Sequence, residues 1–244
     1  MVGGYNKLRF TIWSEPTSGM IPIVVPANQP LVPITYTLYG GESDPGPMPI
    51  PLTTPTEGSA DRHILVVQQG SCRLYELWLT SRNYATGGWN AGSGAIWDLN
   101  VNSTRPPNWT SADAAGLAIM PGLLRYEEVA SGRINHALRV LVGVSRNAYI
   151  WPATHQVGIN DTRLFPMGAR LRLRADFDIS GFTGQSRVIA TALKEYGLIV
   201  ADQGPEFMIS GAGDARWNDT NMNQIRNIPT SAFEYVDNGP VHVG

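Results

Sequence analysis

One cysteine in 244 residues, Cys72, excludes an internal disulfide framework and a Cys-based zinc cluster. Lysine is nearly as scarce. Lys7 and Lys194 are the only two, so almost all positive charge is arginine. Charged residues make up only 16 % of the chain, against about a quarter in ordinary globular proteins, and the formal net charge is −2. With no basic surplus to neutralise phosphates, nucleic acid is excluded as a partner. No apolar run approaches the roughly 20 residues of a membrane span. The opening MVGGYNKLRF lacks the apolar stretch of a secretory signal, so a secreted form is expected to have been processed already, with Met1 not native. Also missing are a GxSxG elbow, a GxxxxGK[ST] loop, a GxGxxG turn and the HxH or HExxH spacings of a metal site. Neither a cofactor nor a metal is expected.

What remains is ample for a core: 43 % of the residues are hydrophobic. The chain reads as one domain, 1–244, in two stretches. Residues 1–60 are rich in proline (PIVVPANQPLVPITY, ESDPGPMPIPLTTPTEG) yet too apolar for a free linker. Proline denies the donors of a sheet ladder, so edge strands and extended chain packed on the body are expected. Residues 61–244 read as the β-rich body. HILVVQQ and CRLYELWLT, separated by Gly70-Ser71, predict a hairpin, and GAIWDLNV, INHALRVLVGV, AYIWPA and ARLRLRADFDI predict further strands. In the last, Leu171, Leu173, Ala175, Phe177 and Ile179 alternate with Arg170, Arg172, Arg174, Asp176 and Asp178. Three arginines on one face of a strand require acidic partners or an anionic ligand. GQSRVIATALKEYG has helical spacing with Gly197 as its stop, and TNMNQIRNI predicts a short helix ended before Pro229. The fold class is therefore mainly β, a sandwich or irregular barrel with a few short helices.

Asp113 stands in a run of small residues, Ala112, Ala114, Ala115 and Gly116. It reads either as a helix cap after Ser111 or as an acid in a pocket. Alternation places Glu76 with Leu74 and Trp78; if that face is inward, desolvation raises its pKa toward general-acid range, or it forms a buried ion pair with Arg139. His136 shares a face with Ile134, Leu138 and Val140. Trp97, Trp109, Tyr126 and Trp151, with Arg139, supply rings and a cation of the kind that line carbohydrate subsites. Glu76, Asp113 and His136 are the candidate catalytic residues. Four N-x-S/T sequons, at Asn102, Asn108, Asn160 and Asn218, point to an extracellular glycoprotein.

The blocks SDPGPMPIPL, DRHILVV, CRLYELW, AGSGAIWDLN, RPPNWTSADAAGLAIMPGLLRYEEV, INHALR, AYIWPATH, PMGARLRLRADFDISGF and LKEYGLIVADQG, from about Pro45 to Val236, resemble a widespread family of uncharacterised, mostly secreted bacterial proteins. The WTSADAAGL…PGLLRYEE block is the specific part. Members begin with a further segment bearing an Asn-Pro-Trp-Asn stretch that this sequence does not contain, so a truncated or divergent start is expected. The resemblance implies an extracellular setting and a single fold, and it carries over no activity and no catalytic residue. The expectation from the residues is a secreted endo-acting glycoside hydrolase whose partner is a polysaccharide or other glycan. The rival reading is a non-catalytic structural or adhesive glycoprotein that self-associates; a transpeptidase-like enzyme using Cys72 ranks third.

Overall fold

The computed structural model describes residues 6–10, 14–15, 18–205 and 207–243. It is mainly β, an irregular sandwich of small sheets with few short helices. One sheet has four strands in the order Pro22–Val25, Ile64–Gln68, Arg73–Trp78, Ser93–Asp98; the first pair is parallel and the others antiparallel. A second has five, ordered Met208–Ile209, Leu138–Val142, Leu198–Gln203, Arg170–Leu173, Phe233–Val236, with the Leu138–Val142 and Leu198–Gln203 pair parallel. Two three-stranded sheets flank these. Among the described residues no helix is long and apolar enough to cross a membrane.

The hairpin expected at Gly70-Ser71 forms, with Gly70 at φ +78 and Cys72 at φ +49 absorbing the reversal. The proline-rich segment lies on the body. Pro22–Val25 is an edge strand, and Met48 and Ile50 are fully buried against Ile64, Leu77 and Trp89. The helix over Gly184–Glu195 turns Ile189, Ala192 and Leu193 into the core under Leu171 and Leu173, and Gly197 ends it at φ +71.

Two expectations fail locally. The strand predicted over 169–179 stops at Leu173, because Asp176 and Asp178 turn back on the local chain: Ser180 N–H donates to Asp178 at 2.7 Å and Phe177 N–H to the Arg174 carbonyl at 3.1 Å. No helix starts at Ser111. Its hydroxyl accepts from Asp113 N–H at 2.9 Å and donates to the Leu117 carbonyl at 2.6 Å, which fixes a compact turn.

That turn belongs to a loop wedged between the two large sheets. Ala112, Ile119 and Leu123 pack with Leu65 of the four-stranded sheet, while Ala115 and Leu124 join the core of the five-stranded one. Small residues are needed because the walls come close. A Cβ on Gly116, at φ +70, would stand 2.2 Å from Thr154 Oγ1 and 2.6 Å from the Trp109 carbonyl.

Candidate functional site

The wedged loop is held by side chains reaching in from both sheets. His63, buried at the start of its strand, has Nδ1 2.6 Å from Glu57 and Nε2 3.1 Å from the Ala112 carbonyl. Both partners are acceptors, so the ring donates from both nitrogens and is an imidazolium. Burial opposes that charge, but the hydrogen bond and charge of Glu57 outweigh it and raise the His63 pKa. Glu57 in turn, despite burial, is lowered to about 2 by the His63 bond and charge. His155 Nδ1 binds the Ala114 carbonyl at 2.8 Å, and Ala115 N–H donates to the Ala201 carbonyl at 3.0 Å.

Glu76 is the third such anchor. It is fully buried, and its carboxylate accepts from Ile119 N–H (3.0 Å), Met120 N–H (2.9 Å) and the Trp97 indole (3.0 Å). Burial raises its pKa, against the pull of those three donors. It lines neither of the two cavities next to the loop. Its geometry is that of a clamp on the Met120–Gly122 turn.

Asp113 alone lines both cavities. It is 1 % exposed, and its carboxylate caps no helix: Oδ1 accepts from Arg139 Nη2 at 2.9 Å, while Oδ2 has no partner. The same Arg139 nitrogen lies 3.6 Å from Asp202 Oδ2. Arg139, 2 % exposed, therefore stands between two carboxylates, and its Nη1 donates to Ser210 at 2.6 Å. Burial raises the Asp113 pKa, with Arg139 opposing. Asp202 keeps about a quarter of its side chain exposed (26 %) and is pushed up to about 7, first by burial and then by the Asp113 charge.

A β-bulge puts Asp202 there. Val200 pairs with Val140 but Asp202 pairs with Leu141, leaving Ala201 without a counterpart. Regular alternation would have sent Asp202 into the core beside Leu198 and Val200. The extra residue moves it to the Arg139 face.

The smaller cavity, about 230 Å³, is lined by Asp202, Asp113, His155, Asp61, Trp78 and Tyr39 among others. Trp78 and Tyr39 lie with ring centroids 6.2 Å apart, and the Trp78 indole donates to Asp61 at 3.0 Å. The larger cavity, about 750 Å³, is lined by Trp97, Leu117, His136, Arg139, Arg170 and Tyr196 among others.

Of the residues singled out in the sequence, Asp113 and Arg139 form one ion pair. His136 lines the larger cavity, but its Nε2 is engaged by Glu128 at 3.1 Å and its Nδ1 by the Ala137 carbonyl at 2.9 Å. Trp97 lines that cavity too. Trp109 stacks on Arg105, Tyr126 packs edge-on to Trp217, and the exposed Trp151 packs on Tyr149 and His242; none of the three lines either cavity. Cys72 is exposed in its hairpin turn, away from both. The sequon asparagines Asn102, Asn108, Asn160 and Asn218 are all exposed. Asp202, Asp61, Trp78 and Tyr39 were not among the sequence candidates. Among the described residues no group of three or more His, Cys, Asp or Glu is placed to hold a metal ion. No family model, no curated protein and no solved structure matches this chain.

Proposed function

We propose that this protein is an extracellular glycoside hydrolase whose working carboxylates are Asp202 and Asp61, in the smaller cavity. The observation that carries the reading is Asp202: a partly exposed acid, held near pKa 7 by burial and by Asp113, lining one cavity with two aromatic rings. An acid with that pKa is still protonated near neutral pH and can give its proton to a glycosidic oxygen. Asp61, which lines the same cavity beside Trp78, is the second carboxylate that glycoside cleavage requires, acting on water or on the sugar itself. Trp78 and Tyr39 offer flat apolar faces to a sugar ring, and the Trp78–Asp61 hydrogen bond fixes one relative to the other. Asp113 and Arg139 act from behind: their ion pair sets the charge that Asp202 feels, so both are positioning residues.

The larger cavity, about 750 Å³, shares the lining residue Asp113 with the first. An extracellular setting agrees with four exposed sequons. The test is a screen of polysaccharides for reducing-end release, followed by Trp78→Ala on any substrate found. Loss of the ring is expected to raise KM about three- to tenfold with little change in kcat. A screen without any release, or an unchanged KM, would count against the reading.

A further inference from the structure

Among the described residues the larger cavity holds a guanidinium with no counter-ion, that of Arg170. Ile199 is the register partner of Arg139 on one neighbouring strand and of Arg170 on the other. Strands lie about 4.8 Å apart, and residues opposite one another share a face. The five-stranded sheet thus presents Arg139, Ile199 and Arg170 in a row, and all three line this cavity.

The two arginines are in different situations. Arg139 is committed to Asp113, Asp202 and Ser210, although its Nε is buried with no partner. Arg172, on the Arg170 strand, pairs with Glu234, and Arg174, just beyond it, pairs with Asp176. The side chain of Arg170, a half-buried residue, makes no hydrogen bond or ion pair among the described residues. Burial alone acts on it, lowering its pKa, with no carboxylate in reach to offset that. The acids near the cavity are engaged elsewhere: Glu128 holds Arg125 and His136, Asp113 holds Arg139, and Asp98 at the rim accepts from Asn100. A half-buried guanidinium without a counter-ion costs desolvation that an incoming anion would recover, and its planar fork matches a carboxylate.

We infer that the larger cavity binds the carboxylate of an acidic sugar, a uronic acid unit, through Arg170, with Trp97 and Leu117 against the ring. The sugar part of this inference rests on the glycoside hydrolase reading; the anion part does not.

The experiment titrates the full chain, labelled with ¹⁵N-tryptophan, with glucuronate, glucose and acetate at matched ionic strength. The indole resonance of Trp97 reports on this cavity. Glucuronate is expected to give a saturable shift that glucose and acetate do not. Arg170→Met is expected to weaken glucuronate at least about tenfold, the loss of one charge-assisted fork, while Arg172→Met leaves it unchanged. If Arg170→Met does not fold, Arg170→Lys, which keeps the charge and loses the fork, is expected to weaken glucuronate by a smaller factor. Equal shifts with glucose would overturn the anion site, equal shifts with acetate would overturn the sugar, and undiminished affinity in the Arg170 variants would overturn the assignment. Because no turnover is measured, glucuronate binding without hydrolysis defeats only the enzymatic reading. Hydrolysis of neutral glycans without glucuronate binding defeats only this one.

Discussion

Asp113 and Asp202 share a single nitrogen of Arg139, 2.9 Å from one carboxylate and 3.6 Å from the other. One guanidinium cannot neutralise both the buried carboxylate of Asp113 and the partly exposed one of Asp202 at neutral pH, so the pair is one charge short and holds a proton. Asp113 has the closer contact and the hydrogen bond that favours its ionised form. Asp202 lies farther away, feels Asp113 as a like charge, and keeps the proton up to about pH 7.

Asp202→Asn should therefore separate rate from stability. The amide keeps the shape of the side chain and its hydrogen-bonding capacity but cannot give up a proton, so turnover is expected to fall by about 100-fold or more. Above pH 7 the variant is expected to melt no lower than the parent, because it never carries the second negative charge. Melting curves of the two proteins at pH 8 check this.

The pH dependence of stability follows from the same group. The folded-state pKa of Asp202 lies above its ordinary value of 3.8, at about 7. Its contribution is complete below about pH 4 and is lost as pH rises to about 7. The difference in Tm between Asp202→Asn and the parent should accordingly grow through that window and level off above it. His63 adds a second loss at higher pH, since its pKa is raised above 6.5. Glu57, lowered to about 2, adds one only as pH falls from about 4.5 toward 2. A flat difference curve between pH 4 and 7 would remove Asp202 from the account.

Glu57→Gln tests the anchor beneath the loop. His63 would lose its buried counter-ion, and stability is expected to drop by up to about 3 kcal/mol, the low end for a broken buried pair, because the ring can release its proton. Titration of the His63 ring by NMR should show the parent ring keeping its proton to a higher pH than the variant ring.

Glu76→Gln addresses the other anchor. Both carboxylate oxygens accept hydrogen bonds, from Ile119, Met120 and Trp97. An amide nitrogen in place of either oxygen would face a donor, at a cost of about 1–3 kcal/mol. Denaturant unfolding measures it. With Glu76 outside the cavities, residual turnover per folded molecule is expected to stay near that of the parent.

Asp113 stood out in the sequence as an acid among four small residues, read either as a helix cap or as an acid in a pocket, and alternation placed Glu76 beside Leu74 and Trp78. What Glu76 does there was not legible, since its partners are backbone N–H groups 43 and 44 residues away. Asp202 escaped for a different reason. In LIVADQ simple alternation sends it into the core, and only the bulge at Ala201, a product of pairing with the Leu138–Val142 strand, brings it out. Tyr39 reaches the cavity from the proline-rich segment, which sequence patterning treated as wrapping. The hairpin and the long helix, set by local glycines and spacing, were visible directly. The strand over 169–179 was overextended, because an alternating pattern does not reveal where aspartates will turn the chain.

The most direct measurement is reducing-end release at pH 6 from a panel of neutral and acidic polysaccharides, with the parent protein beside Asp202→Asn and Asp61→Asn. The account predicts release by the parent from at least one polysaccharide, and a loss of about 100-fold or more in each variant with melting temperatures maintained. No release by the parent from any of them, or release undiminished in Asp202→Asn, would contradict it.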